Sequence, residues 1–279
     1  MLSDNTTLIN QILDDIKQIH GFDFSGYHPA MLERRITNRL FATGNLQLHA
    51  YAELLHHDPK EMDHLLDTLT INVSRFFRDS FTFECISNLV IPEICQRKLK
   101  KGDPTLRIWS AGCASGEEAY TIGIIAKEVT GKLDVPIDLH IFATDIDQNI
   151  LKKARQGVFS AESFSETKMG IIEKYFTKNN DRFEIHAEIR ELIQFSNQDL
   201  LDEKQAIPQE SVFADFDLVL CRNVLIYFNK EVQLKIFNNL YRSLSSDGLL
   251  VLGEAEIPVS SYKSRFRSES TCCKIYRKI

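Results

Sequence analysis

A run of small residues, Gly112-Cys113-Ala114-Ser115-Gly116, separates the apolar segment LRIWSA from Glu117 and Glu118. Small residues between a strand and a helix let a ligand approach the backbone closely. Carboxylates at the helix start oppose a phosphate group and suit a ligand with ammonium or hydroxyl groups. Alternatively, the two carboxylates only cap the helix and complement its dipole. The run therefore predicts either a site for a cationic ligand or a well-capped helix.

The glycine spacing narrows the choice of cofactor. It is G-x-A-x-G, whereas dinucleotide sites have G-x-G-x-x-G with a pyrophosphate at the helix start. The missing third glycine and the two glutamates disfavour a nicotinamide-dependent oxidoreductase. S-adenosylmethionine, which has an ammonium and a sulfonium group and no phosphate, matches the pattern.

Polar residues also follow two later apolar segments. Asp145 ends LHIFAT, one βα unit after the glycine loop, where a carboxylate is placed to accept hydrogen bonds from ribose hydroxyls. Asp147 is predicted to cap the next helix. Arg222 and Asn223 follow FDLVLC, and polar residues at the carboxyl end of a buried strand lie at the ligand crevice. Tyr227 is either a core aromatic or a hydroxyl donor in that crevice.

The elements that position these residues form two groups. Up to about residue 84 the apolar spacing is helical, with stops at Gly21 and Gly44. From residue 105, short β-branched or aromatic runs alternate with helical stretches, which indicates a parallel α/β sheet. We predict an α/β protein with an N-terminal all-helical domain over 1–90 and a doubly wound Rossmann-like domain over 91–279. Alternation at Phe183, Ile185 and Ala187 predicts a small inserted antiparallel β-subdomain at about 176–190.

Composition is that of a water-soluble globular protein. The 279 residues are 43% hydrophobic and 26% charged, with a net charge of −6. The negative charge disfavours general nucleic-acid binding. No apolar run approaches the roughly 18 residues that span a bilayer, and no signal peptide is evident, so we expect a cytoplasmic protein that is not inserted in the membrane. The six cysteines lack metal-binding spacing, and no metal is expected.

Longer motifs resemble one family, the chemotaxis receptor glutamate methyltransferases. The resemblance covers nearly the whole chain, including the N-terminal helices. The matching segments are INVSRFFRD at 71–79, IWSAGCASGEEAYT at 108–121, FATDID at 142–147, LKKARQGVF at 151–159, LVLCRNVLIYFN at 218–229 and DGLLVLGEAE at 247–256.

The resemblance implies a set of cofactor contacts. It identifies Asn72, Ser74 and Arg78 as a lid over S-adenosylmethionine, with Ser74 in place of the usual Thr. Asp199 stands where relatives commonly have Asn, and a carboxylate can still accept from the adenine amino group. The remaining contacts implied by the family are Ala111, Gly112, Glu117, Asp145, Leu200, Arg222 and Asn223.

The family chemistry is methyl esterification of a glutamate carboxylate, with S-adenosylhomocysteine as the product. A glutamate is ionised at neutral pH, so attack on the methyl group needs no general base, and alignment should dominate. The resemblance implies that Tyr227, Arg97 and Arg78 act at the reacting groups. From the residues alone, Arg97 could simply be a solvated charge at a helix end. Arg78 could form an ion pair with Asp79 or Glu84.

Partners also follow from the resemblance. The family's helical domain docks on cytoplasmic helices of methyl-accepting receptors in receptor arrays, and Arg35 and Arg39, four residues apart, would form its cationic stripe. A solvated charged face explains them equally well. In relatives, the β-subdomain holds a receptor's C-terminal tether peptide by strand addition. A non-chemotaxis signalling protein as acceptor, or a cofactor-binding sensor or scaffold, remain alternatives.

Overall fold

The computed structural model describes residues 2–70, 74–202, 205–211 and 214–279. Contacts divide the chain into two units, one made of 1–72 and 227–232 and the other of 73–226 and 233–279. Within the described ranges, no helix is long and apolar enough to cross a membrane. Each unit is described separately.

Four helices form most of the first unit, the helical unit. They are α1 (Leu2–His20), α2 (Pro29–Ala42), α3 (Leu48–His57) and α4 (Pro59–Leu69). Pro29 and Pro59 occupy first turns, where a missing N–H costs nothing, and Gly44 follows α2 with φ 77°. Gly21, with φ 78°, and Gly44 follow α1 and α2 where helix stops were predicted. The apolar face of each helix packs into one core that includes Ile16, Ile36, Tyr51, Leu65 and Leu69.

The second unit, the sheet unit, is built on seven strands in the order β6-β2-β1-β7-β8-β10-β9. The first five are parallel, and β10 and β9 are antiparallel. This arrangement confirms the predicted doubly wound sheet. The strands are β1 (Thr105–Ala111), β2 (Asp138–Asp145), β6 (Ile193–Asn197), β7 (Phe216–Cys221), β8 (Leu244–Leu252), β9 (Phe266–Ser268) and β10 (Ile275–Lys278).

Helices α5 (Ser80–Cys85) and α6 (Ile91–Lys100) are joined by a π-helical turn over Ile86–Val90 and belong to the sheet unit. The contacts therefore divide the chain at 72, ahead of the predicted boundary at 90. The physical reason is that the apolar side chains of this segment, such as Phe83, Ile86 and Ile94, pack into the core that surrounds the sheet. The linker helix is part of the second unit.

Two further helices follow strands and lead back along the sheet, while a third follows Asn229. They are α7 (Glu117–Thr130), α8 (Gln148–Gln156) and α11 (Lys230–Ser243), which begin where the sequence indicates. Asp147 accepts hydrogen bonds from the N–H groups of Asn149 and Ile150, which confirms the predicted cap of α8.

The inserted subdomain is a three-stranded antiparallel sheet in the order β3-β5-β4. Its strands are β3 (Val158–Ser160), β4 (Phe176–Asn179) and β5 (Arg182–Ile185), and α9 (Met169–Tyr175) precedes β4. The alternation predicted through Ala187 ends early, because Ala187–Arg190 form the short helix α10. Asn180 takes φ 52° in the β4–β5 turn, a left-handed conformation that asparagine adopts more readily than most residues.

Candidate active site

The glycine loop lies at the carboxyl end of β1, and its backbone is bound to the neighbouring strand β2. The N–H groups of Gly112 and Cys113 donate to the Thr144 carbonyl at 2.8 and 2.9 Å. Gly112 has φ 76°, and a Cβ there would lie 2.6 Å from Cγ2 of Val224. Only glycine fits this position, because the Val224 side chain fills the space that a Cβ would take.

Glu117 is the first residue of α7 and is 3% exposed. Its carboxylate accepts hydrogen bonds from the hydroxyls of Ser115 at 2.7 Å and Ser163 at 3.4 Å, and also from Ser74. Burial raises the pKa of Glu117, and the three hydroxyls oppose that shift. The lid residue Ser74 and Glu117, which the resemblance implied separately, therefore meet in one site.

Asp145 ends β2 and accepts from two backbone groups, Ala114 N–H at 2.9 Å and Asp147 N–H at 3.0 Å. Ala114 has φ 47°, so this hydrogen bond helps to hold the glycine loop in a conformation that few non-glycine residues adopt. Burial is the main cause that raises the pKa of Asp145. The carboxylate thus binds the loop and lies beside it.

The segment 74–79 precedes α5, and two of its residues have left-handed backbones. Phe77 has φ 55° and Asp79 has φ 63°, and they flank Arg78. The Phe77 N–H donates to the Thr121 hydroxyl at 3.2 Å, and the Asp79 N–H donates to the Glu166 carboxylate at 2.9 Å. Strained conformations persist only where surrounding contacts hold them. The predicted contact from Asn72 lies outside the described residues.

Arg222 follows β7, and its side chain is 2% exposed. Its guanidinium donates to the carboxylates of Asp79 and Glu118, each at 3.2 Å, and to the Arg78 carbonyl at 2.9 Å. The group also lies 4.9 Å from the centre of the Phe83 ring. A buried arginine with two carboxylate partners cross-links the elements that carry them. Sequence reasoning placed Arg222 at the crevice but did not find Asp79 and Glu118 as its partners.

The remaining implied cofactor contacts lie at neighbouring strand ends. Ala111 ends β1 and is fully buried, and Asn223 has φ 59° directly after Arg222. Beyond β6, the Asp199 carboxylate accepts from the Leu201 N–H at 2.8 Å. The Leu200 carbonyl accepts from the side-chain amide of Asn239 at 3.0 Å. Since carboxyl ends of parallel strands share one edge of a sheet, these residues line the same crevice.

Arg97 does not lie at this edge. Its guanidinium donates to the Asp247 carbonyl at 3.0 Å and pairs with Glu93 at 3.6 Å. Asp247 lies in the first half of β8, close to the start of β7, where Gly248 approaches the Phe216 carbonyl. These contacts place Arg97 at the amino end of the sheet, so its predicted role at the reacting groups is wrong. The helix that carries it offered no motif to fix its orientation.

Three other implied residues lie in the helical unit. The Tyr227 carbonyl accepts from the His28 N–H at 2.9 Å, and the charge of Arg35 interacts with Tyr227. Arg35 donates from Nη1 to the Thr68 carbonyl at 2.6 Å, and its Nε is buried with no partner in the described structure. Arg39 makes a bidentate pair with Glu61, at 2.7 Å from Nε and 2.5 Å from Nη2. Arg35 and Tyr227 are thus neighbours, whereas Arg39 is engaged inside the unit.

The polar groups of the crevice fit S-adenosylmethionine. Glu117 and Asp145 accept their hydrogen bonds from hydroxyls and N–H groups, so their negative charge is available to an ammonium group and to ribose hydroxyls. The described residues contain no cluster of three or more side chains with the placement of a metal site.

Comparisons with known proteins agree with this geometry. The family model "CheR methyltransferase, SAM binding domain" matches residues 72–274, and "CheR methyltransferase, all-alpha domain" matches 8–70. The putative methyltransferase Cher3 of Pseudomonas putida is 33% identical over 97% of this chain and 96% of that protein. Proteins named chemotaxis protein methyltransferase are similar too. The one from Borreliella burgdorferi is 28% identical over 89% of this chain and 87% of its own length, and chemotaxis protein methyltransferase 2 of Pseudomonas aeruginosa is 30% identical over 88% and 85%. The chain belongs to the CheR methyltransferase family.

Proposed function

We propose that the chain transfers a methyl group from S-adenosylmethionine to glutamate carboxylates of methyl-accepting chemotaxis receptors, leaving S-adenosylhomocysteine. The proposal rests chiefly on two carboxylates, Glu117 and Asp145, which hydroxyl and N–H donors hold beside the glycine loop. The family and the names of the chemotaxis relatives support the receptor as acceptor.

Each residue of the crevice has a binding task in this proposal. When bound, S-adenosylmethionine supplies a methyl group on a cationic sulfur, which takes the electron pair of the C–S bond. Glu117 accepts from the cofactor's ammonium, and Asp145 accepts from the ribose hydroxyls. Asp199 and Leu200 bind the adenine. These contacts fix where the methyl group points.

The acceptor needs orientation rather than activation. A glutamate side chain has a pKa of about 4.3, so its oxygen attacks the methyl carbon as a carboxylate, and no proton has to move. By the family resemblance, we assign Tyr227 as a hydrogen-bond donor to this carboxylate and Arg35 to docking of the receptor helices. Arg39 contributes by fixing α2 through Glu61.

Arg78 covers the cofactor from the segment 74–79. The contacts of Phe77 to Thr121 and of Asp79 to Glu166 hold the two residues beside it. Arg222 binds the Arg78 carbonyl, so the crevice end of β7 sets the position of this lid. A lid fixed at three points excludes water from the methyl group and shortens the search for the reactive geometry.

Receptor arrays provide the site of action. Strand β4 is an edge of the small sheet, paired on one side with β5. An extended receptor tether can add to that edge through backbone hydrogen bonds, and this is where we place it. The chain would then work in the cytoplasm, recruited to the arrays by tether and helices.

The test is transfer of labelled methyl from S-adenosylmethionine to receptor-containing membranes. Wild type is compared with Arg78→Ala and with the matched control Arg267→Ala, an exposed arginine on β9. A receptor whose methylation glutamates are changed to alanine serves as the second arm. We expect base-labile label that is lost with Arg78→Ala and with the altered receptor and kept with Arg267→Ala.

Two results would contradict the proposal. Cofactor binding without transfer to any receptor would point to another acceptor protein or to a sensor. Label that persists on the receptor lacking its glutamates would show that another group is methylated.

A further inference from the structure

Glu256 is a buried carboxylate that none of the binding tasks above uses. It lies four residues after β8 and is 4% exposed. Its oxygens accept from the backbone N–H groups of Leu225 and Gly253, each at 2.7 Å, of Asn223 at 2.9 Å and of Ile226 at 3.3 Å. One side chain therefore binds most of the loop that leaves β7.

The cost of burying this charge explains why so many donors converge on it. An isolated carboxylate away from water is strongly disfavoured, and burial raises the pKa of Glu256 while the backbone donors oppose that shift. The approach is close enough to require glycine at 253. A Cβ there would lie 2.7 Å both from the Asn223 nitrogen and from a Glu256 oxygen.

The loop that Glu256 binds contains a strained backbone conformation. Asn223 has φ 59°, a conformation that asparagine tolerates and that needs support from its surroundings. The N–H of Asn223 is one of the four donors, so Glu256 supports the strained residue directly. Asn223 is also a residue that we assign to the cofactor.

We propose that Glu256 is a positioning residue for cofactor binding. It holds 223–226 in the conformation that lines the crevice, without touching the cofactor itself. The inference rests on the proposed cofactor site. Glu256 ends the family segment DGLLVLGEAE at 247–256, but the resemblance assigned it no role, and an acidic residue in a loop after a strand is most often a surface charge.

Glu256→Gln is the most informative substitution, since glutamine keeps the shape of the side chain and removes its charge. Its amide group has one acceptor oxygen, and its NH₂ would face N–H donors, so the loop loses part of its support. Asp217→Asn is the matched control: Asp217 is 2% exposed in the same unit, at the amino end of β7, and accepts from the Arg107 N–H at 3.0 Å. Both variants remove a buried charge held by backbone.

We expect Glu256→Gln to raise the Kd for S-adenosylhomocysteine and the KM for S-adenosylmethionine about tenfold or more, a loss equal to about 1.4 kcal/mol. The kcat at saturating cofactor should change less. Asp217→Asn should lower the melting temperature while leaving the Kd at the wild-type value. Calorimetry and thermal melting on the full chain give both readouts.

If a variant fails to fold, amide hydrogen exchange of the wild-type protein still tests the proposal. The amides of Asn223, Leu225 and Ile226 should exchange slowly in the absence of cofactor. Fast exchange there, or a Glu256→Gln variant that binds as wild type does, would overturn this inference alone. Wild-type protein that binds neither cofactor nor product would instead overturn the proposed function.

Discussion

Both ends of the seven-stranded sheet carry carboxylates that accept hydrogen bonds or ion pairs, but the groups that donate to them differ. At the amino end, Asp217 and Asp103 share the ammonium of Lys98, at 3.5 and 2.5 Å. At the carboxyl end, Glu117 accepts from serine hydroxyls and Asp145 from backbone N–H groups. One ammonium offsets the charge of the first pair, while hydroxyl and N–H donors leave the second pair charged. Under the proposed function, the first pair would stabilise the fold and the second would bind the cofactor.

Arg222 is a buried cation at the carboxyl end of the sheet that pairs with neither Glu117 nor Asp145. It lies at the carboxyl end, yet its charge is spent on Asp79 and Glu118 rather than on the two carboxylates that face the crevice. The ion pairs there hold the segment 74–79, while Glu117 and Asp145 accept from hydroxyl and backbone N–H groups instead. Four experiments would break or sharpen this comparison.

The largest effect is expected from removing that cation. Arg222→Met leaves Asp79 and Glu118 without their partner, and breaking a buried ion pair in this way costs about 3–5 kcal/mol of unfolding free energy. Lys98→Met at the amino end should cost less, about 1–3 kcal/mol, because the Asp103 side chain is 48% exposed and buried Asp217 keeps its hydrogen bond from the Arg107 N–H. Urea denaturation of both variants measures the two losses. Equal losses would mean that the two ends are held alike.

The second effect concerns cofactor affinity. Glu117→Gln should raise the Kd for S-adenosylmethionine about 10- to 100-fold, because a hydrogen bond between an ammonium and a carboxylate becomes one to a neutral amide. Lys98→Met, which alters charge at the other end of the sheet, is the control and should leave the Kd unchanged. Calorimetric titration decides between them. If Lys98→Met weakened binding as much, the separation of the two ends would be lost.

The third effect is the pH dependence of binding. Burial raises the pKa of Glu117 and of Asp145, so both take up protons at a higher pH than exposed carboxylates. Cofactor affinity should therefore fall as the pH is lowered from about 7 toward about 5, and the slope should flatten in Glu117→Gln. Titrations at several pH values measure this slope.

The raised pKa values have the opposite effect on the folding stability of the protein without cofactor. A raised pKa in the folded state means that the folded protein holds these protons more tightly than the unfolded chain does. The two carboxylates therefore add stability as the pH falls through the same range. Melting curves with and without cofactor should converge toward low pH. Curves that stay parallel would show that neither carboxylate titrates there.

The smallest effect is expected from cysteine alkylation. Burial raises the pKa of Cys95, near the amino end, to about 11, and it raises the pKa of Cys221, at the carboxyl end of β7, well above its ordinary value, with Glu256 and Glu118 adding to the shift. Exposed Cys272 should be labelled first and the buried Cys95 and Cys221 much later, with no change in cofactor Kd. Mass spectrometry after timed iodoacetamide treatment gives the order. Labelling of Cys95 or Cys221 before Cys272 would contradict it.

Local patterns were enough to predict most of the fold. The helix stops at Gly21 and Gly44 and the cap at Asp147 are encoded by residues next to them in sequence, and all three are as expected. The parallel sheet followed from alternating elements. The π-helical turn at Ile86–Val90 and the helix at Ala187–Arg190 were missed, because tertiary packing decides them rather than local periodicity.

The site was predicted where a motif fixes the geometry. Glu117 and Asp145 lie beside the glycine loop as expected, since strand ends and helix starts determine their places. Partners that come from distant sequence could not be found: Asp79 lies 143 residues from Arg222, and Glu256 lies 33 from Asn223. Arg97 failed for the same reason, because its contact is 150 residues away.

The segment 227–232 completes the helical unit long after its four helices in sequence. Phe228 packs on Tyr27 with ring centres 4.6 Å apart, and the Asn229 N–H donates to the Gly26 carbonyl at 2.9 Å. N-terminal domains generally fold first as a chain leaves the ribosome. This one must wait until residue 232 has emerged, so the helical unit and most of the sheet unit would mature together during synthesis. A fragment that ends at residue 72 would lack Phe228 and so leave the face of Tyr27 that packs on it exposed.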